Sequence, residues 1–252
     1  MIRFIPISAA AAVFALALLT GGSTTTLADK GPVVVELYTS QGCNSCPPAD
    51  AYLGELAKRQ NVIALSFHVT YWDYLGWKDR FALKAATKRQ RAYSRHFRRG
   101  YVYTPQMVID GQSEVVGSRN VLVDRAIGKA TRRADKITVT FKKTDDGKLH
   151  AVLPTRKASG TAERATIWMV LFDRSHTTDV RGGENGGKKL THHNVVRKLM
   201  PLGTWDGEGK SIALPVYTAG PDGRRDGCVV IVQSNQTGRI IGAAAMPLAQ
   251  TN

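Results

Sequence analysis

Cys43-Asn44-Ser45-Cys46-Pro47 stands where a β-branched apolar run ends and a helix-forming stretch begins, and this junction constrains the fold more than any other feature. Val33 to Tyr38 is short and nearly continuous in apolar residues, the look of a strand buried on both faces. Pro47-Pro48-Ala49-Asp50 then opens a helix running to about Gln60, since proline is tolerated in a first turn whose N–H groups lack helical partners. Two cysteines at that point can close a disulfide. The first thiol also faces free N–H groups and the positive end of the helix dipole, which stabilise a thiolate and lower its pKa.

The pattern continues with a second buried strand over Val62 to Val69, an aromatic-rich loop from Thr70 to Phe81 and a helix from Ala82 to Phe97. After Thr104-Pro105, a strand over Gln106 to Ile109 turns back at Asp110-Gly111 into Ser113 to Val116. Ser118 can cap a last helix from Arg119 to about Arg132. The order β-α-β-α-β-β-α, with parallel strands joined by a helical crossover, predicts a thioredoxin-like α/β domain. Beyond Asp135 the texture changes to strand-like runs at Ile137–Lys142, Leu149–Leu153, Ala165–Phe172, Asn194–Met200, Ser211–Tyr217, Val229–Gln233 and Arg239–Ala245. Short strands separated by Gly-rich turns predict an all-β sandwich-like domain. Gly182 to Gly187 reads as a loop and not a nucleotide fingerprint, because no helix follows it closely.

The first residues carry an export pattern: Arg3, an apolar run from Phe4 to Leu19, and a cleavage-like Thr26-Leu27-Ala28. The run is short for a membrane span of about 20 residues, although an uncleaved anchor shares much of this pattern. The expected division is a signal peptide over 1–28, a thioredoxin-like domain over 29–134 and a sandwich-like domain over 135–252. Export to a periplasmic or secreted location implies an oxidising compartment. Three cysteines are too few for a disulfide-rich scaffold, so an apolar core must hold the fold. A net charge of +15 favours anionic partners, and in an exported chain these are membrane surfaces, cell-wall polymers or acidic proteins before nucleic acid. Solubility alone is the plainer account of that charge.

Three stretches carry a resemblance. They are Glu36-Leu37-Tyr38-Thr39-Ser40-Gln41-Gly42-Cys43-Asn44-Ser45-Cys46-Pro47-Pro48-Ala49-Asp50, then Phe67-His68-Val69-Thr70-Tyr71-Trp72-Asp73-Tyr74-Leu75-Gly76-Trp77-Lys78-Asp79, and Tyr103-Thr104-Pro105-Gln106-Met107. Through them Val33 to Arg132 resembles an exported thioredoxin-like family of unknown function (domain of unknown function 1223), with a weaker likeness over Arg181 to Leu199. The resemblance implies the fold and export, and little about a substrate. It also implies a cis-proline beside the dithiol, a position that Pro105 fills. The chain departs from ordinary thioredoxins in having Asn44-Ser45 in place of Gly-Pro, and Gln41-Gly42 where a tryptophan usually precedes the first cysteine.

The leading expectation is thiol–disulfide exchange with protein thiols or disulfides, with Cys43 attacking, Cys46 resolving and Pro105 keeping a groove open for extended backbone. Glu36 interrupts an apolar strand, as either a buried proton acceptor for the second thiol or an outward or salt-bridged carboxylate. Thr104, Tyr71, Trp72 and Trp77, with Tyr74, are candidates for a substrate-binding wall, the alternative being a satellite cluster under a long insertion. No cofactor is implied. A copper-binding or chaperone protein using the two thiols, with His68 as a third ligand, is one alternative. A binding protein with a permanent disulfide is the other. The helix from Lys88 to Arg99 lines up Lys88, Arg91, Arg95 and Arg98 on one side, a solvated face or a dock for an anionic surface or lipid headgroups. His192-His193 reads as structural or surface, and Cys228 as buried and inert.

Overall fold

The computed structural model describes Met1 and residues 31–156, 164–215 and 225–248. The predicted export segment and the end of the strand predicted over Ser211–Tyr217 lie outside the described residues. β1 (Val33–Thr39) and β2 (Val62–His68) are buried at every position and pair in parallel from Val33 opposite Val62 to Thr39 opposite His68. α1 (Pro47–Leu56), with proline in its first turn, makes the crossover between them. α2 (Lys84–His96) buries Ala86, Arg89, Gln90 and Tyr93 and turns its other cations outward. β3 (Gln106–Ile109), antiparallel to β1, and β4 (Ser113–Val116) form a hairpin whose turn has positive φ at Asp110 and Gly111. A side chain at Gly111 would also collide with the Gly238 carbonyl. α3 (Asn120–Thr131) completes the predicted order of the first half.

The second half contributes β5 (Thr140–Lys143), β6 (Leu149–Leu153), β7 (Ala165–Asp179), β8 (Lys189–Trp205), β9 (Lys210–Ala213), β10 (Gly227–Ser234) and β11 (Ile240–Pro247). These strands overturn the expected pairing of a thioredoxin-like α/β domain with a separate all-β sandwich. One mixed eight-stranded sheet runs through both halves in the order β11-β10-β7-β8-β2-β1-β3-β4. The joint is β8, where Val195 pairs in parallel with Ser66 of β2 and Asn194 Nδ2 donates to the Ala64 carbonyl over 2.9 Å. A strand covered on both faces cannot leave its outer row of N–H and C=O groups open, and the second half closes it. Periodicity reports which residues face a core and is silent on which strand lies beside which. β7 and β8 also pair well beyond the apolar stretches that announce them, with bulges after Ile167 and Leu171.

α1 and α3 cover one face of the inner strands around Leu37, Leu53, Met107 and Ile109. α2 lies on the other face, where a single apolar cluster continues from Tyr38 and Leu65 into Val170, Val229 and Ile231 of the outer strands. The alternate residues of those outer strands pack under a small sheet, β5-β6-β9, around Leu153, Ile167, Trp205 and Val230. Among the described residues no helix is long and apolar enough to cross a membrane.

Candidate functional site

β1 ends at Thr39, and four residues later the chain reaches Cys43, which is disulfide-bonded to Cys46 with the two Cα atoms 5.4 Å apart. Cys46 is the N-cap of α1, so the bridge sits at the positive end of the helix dipole; Pro47 and Pro48 bring no N–H there, and the N–H groups of Ala49 and Asp50 donate to the Cys46 carbonyl. Both cysteines are fully buried, while Asn44 and Ser45 between them are exposed. The Thr104 hydroxyl donates to Cys43 Sγ at 3.2 Å and in turn accepts the Trp72 indole N–H at 2.8 Å. Because Trp72 fills the acceptor side of that hydroxyl, its proton is directed at the sulfur. The Thr104–Pro105 peptide bond is cis.

The loop that carries the bridge is held from below and from the far half of the chain. Asp79 Oδ2 accepts the Gln41 N–H at 2.8 Å, and Trp77 donates to Gln41 Oε1 at 2.9 Å. Asn185 Nδ2 donates to the carbonyls of Gln41 and Cys43 at 3.0 and 2.8 Å, and Glu184 accepts the Asn44 N–H. The glycine-rich loop is thus a clamp on the disulfide segment. Gly183, with φ +66°, takes a conformation that side chains rarely adopt, and a side chain there would press on Trp77. The sequence alone marks this stretch as a plain loop, and the one signal of more is the weak family likeness over Arg181 to Leu199.

Behind the bridge lies a seam of buried polar side chains between α1 and the sheet. Asp50 is one helical turn after Cys46, on the same side of α1. Its carboxyl oxygens make no hydrogen bond of good geometry: the Thr39 hydroxyl lies near enough only to favour the charged form weakly, and His192 Nε2 is 3.6 Å away. Burial pushes its pKa up to about 7, more than the neighbouring His68 and the Thr39 hydroxyl pull it down. His192 stacks edge-on against His68 with ring centroids 4.6 Å apart, and burial drives its pKa down to about 3, leaving it neutral. Ser66 Oγ and His68 Nε2 are likewise buried without partners. His68 Nδ1 meets Asp79 at 2.6 Å. Burial works against the Asp79 charge, but His68 and the N–H groups of Gln41 and Phe81 outweigh it and hold the carboxyl at about 2. Asp79 is therefore the acceptor and His68 Nδ1 carries the proton.

Glu36 lies on the opposite face of β1, away from α1. Arg89 Nε and Nη2 donate to its two oxygens at 2.9 and 2.7 Å, with Tyr38 and Tyr93 hydroxyls adding bonds at 2.7 and 3.2 Å. It is buried and fully paired. Of the aromatic candidates, Trp72 and Trp77 touch the disulfide segment as described, Tyr71 turns to Gln90 of α2, and Tyr74 points into solvent. Pro105 is buried beside Gly117, 3.3 Å from where a side chain there would start. His68 is committed to Asp79, and among the described residues no three His, Cys, Asp or Glu side chains are grouped to hold a metal ion. Cys228 is free and buried, its thiol pushed up to about 12 by desolvation. Arg91, Arg95 and Arg98 line an exposed cleft of about 570 Å³ closed by Tyr101 and Val102.

Comparison with known proteins agrees with the family and assigns no activity. A crystal structure of a protein from Agrobacterium tumefaciens superposes with a TM-score of 0.72 at 32% identity, covering 89% of this chain and 98% of that one. HBP35 of Porphyromonas gingivalis, at 16% identity, shares the fold alone, with a TM-score of 0.50 over 87% of this chain and 76% of its own. No curated protein matches. Residues 34–233 match the family described as a protein of unknown function, DUF1223, and the chain, carrying its disulfide at the start of α1 on a shared sheet, belongs to that family.

Proposed function

We propose that the protein is an exported thiol–disulfide exchange protein whose working bond is Cys43–Cys46. The observation that carries this reading is the convergence on one disulfide of a helix start, a directed Thr104 hydroxyl and a buried carboxyl at Asp50 that no guanidinium or ammonium group matches. When a partner thiolate attacks Cys43 Sγ, the Cys43–Cys46 bond breaks and Cys46 leaves as a thiolate. Asp50, protonated near neutrality, supplies its proton by way of the seam. Attack by a second partner thiol on the mixed disulfide then frees Cys43, so that two electrons pass to this protein and the partner leaves as a disulfide. The same steps in reverse reduce a partner. Asp50 takes the proton-handling role, one of the two readings of Glu36, while Glu36 itself is salt-bridged to Arg89.

The partner is a protein thiol or disulfide. The cleft of Arg91, Arg95 and Arg98 is continuous with Tyr101, and the chain runs from there directly to Thr104 beside Cys43. This supports a partner with acidic residues near its cysteine, docked on α2. Export is supported by the bridge itself, which persists in oxidising compartments.

The full burial of both cysteines and the Asn185 clamp favour a second reading, a permanent disulfide in a binding protein. One experiment separates them: equilibrate the Cys228→Ser protein in glutathione buffers and follow the Cys43–Cys46 couple. Exchange predicts a reversible potential between about −120 and −270 mV. A couple far below about −300 mV that does not equilibrate would establish the permanent bridge instead.

A further inference from the structure

α2 covers the inner strands on its face of the sheet, but the same apolar face continues outward past the helix into β7, β8 and β10. Where the helix ends its coverage, a cavity of about 510 Å³ opens between them. Ala92 and Tyr93 form its helix wall, and Trp168, Leu199 and Pro201 its sheet wall. Its size is that of a small-ligand site.

We propose that this cavity binds a small amphiphilic anion, an apolar chain or ring bearing a single carboxylate. Three observations set the chemistry. The walls named above are apolar and aromatic, which selects an apolar body. Lys88 and His96 stand at the rim and no acidic residue lines the cavity, which selects against a cation. Trp168 Nε1 is buried without an acceptor. A buried indole N–H without a partner is costly, and a small turn of the ring toward the cavity would let a ligand oxygen relieve it. Arg89 contributes field without being consumed: its guanidinium lies 5.5 Å from the Trp168 ring centre while its N–H groups serve Glu36, Gln233 and Tyr93.

The site is separate from Cys43–Cys46, so the glutathione experiment and this one stand or fall independently. The test is calorimetric titration of the full chain, bridge intact, with sodium decanoate below its micellar range, using decyltrimethylammonium as the opposite-charge probe. The expected result is one saturable decanoate site with a change in tryptophan emission, and at least tenfold weaker binding of the cation. Trp168→Phe is expected to weaken decanoate about tenfold. Ala92→Trp, which fills the cavity from an exposed helix position, is expected to abolish binding while leaving the circular dichroism and melting temperature unchanged. Absence of a saturable site in the unsubstituted protein, equal affinity for the two probes, or undiminished binding by a folded Ala92→Trp protein would overturn the proposal.

Discussion

Glu36 and Asp50 are carboxyls buried one on each face of the same sheet, and their surroundings treat them in opposite ways. Glu36 receives a bidentate guanidinium and two phenolic hydroxyls, so its charge is matched by fixed donors. Asp50 receives no guanidinium, ammonium or well-formed hydrogen bond, only the nearby Thr39 hydroxyl and a His192 ring, and lies among other buried polar atoms without partners. The first arrangement pins α2 to β1 and, through Gln233, to the far half of the chain. The second keeps a proton close to the disulfide. A buried acid alone says nothing about function; what decides is whether its charge has been matched.

The largest expected effect tests the matched site. Arg89→Met leaves the buried Glu36 with only the Tyr38 and Tyr93 hydroxyls, and is expected to cost about 3–5 kcal/mol in urea unfolding. A loss below about 1 kcal/mol would show that the pairing is not what holds α2 in place.

The unmatched site is tested by its pH dependence. Asp50 titrates near 7 when folded against 3.8 as a free side chain, so between these values folding takes up a proton and stability falls as pH rises. His192 titrates near 3 against 6.5, so over that span folding releases a proton and stability rises with pH. Each contribution is on the order of 4 kcal/mol, and between about pH 4 and 6.5 they oppose one another. His68 and Asp79 face the same seam, but Asp79 changes protonation only between about 2 and 3.8. Asp50→Asn should therefore uncover a stability that climbs from pH 4 to 6.5, and His192→Gln one that declines over the same range. Urea midpoints measured across these pH values would refute the assignment if both variants keep the slope of the parent. On exchange, Asp50→Asn is expected to slow the Cys46 step about 10²-fold at neutral pH. Stopped-flow kinetics showing a rate equal to the parent's would remove Asp50 from the mechanism.

The smallest effect concerns Thr104. Its hydrogen bond to Cys43 Sγ is stronger to a thiolate than to a disulfide, so it favours the reduced form. Thr104→Val should make the potential more negative by about 20–30 mV, equivalent to roughly 1 kcal/mol. A shift of the opposite sign in the same glutathione buffers would mean the hydroxyl stabilises the oxidised bridge.

The order of the first seven elements is legible because each is announced locally: valine runs, prolines in a first turn, Asp110-Gly111 at a hairpin. The disulfide and the cis bond at Pro105 follow from that order and from resemblance. Three features are not legible, for one shared reason. β8 beside β2, the Asn185 clamp on Cys43 and His192 against Asp50 all join residues more than a hundred positions apart. No local pattern encodes such a meeting. Asp50 escapes notice because an acid in the first turn of a helix is ordinarily explained by the dipole. Glu36 draws attention because an acid within a valine strand is not.

The position of β8 has a consequence in time. Ser66 and its neighbours are made early, while Val195, which pairs with Ser66, is more than a hundred residues further along. At about 5–20 residues per second the emerging chain carries β2 with one bare edge for roughly 5–25 s. During that interval a strand meant to be buried on both faces is also the part most able to recruit a stranger's strand. A chain truncated after α3 would make the interval permanent, and the polypeptide's tolerance of a late or missing second half is where its handling by chaperones should be sought.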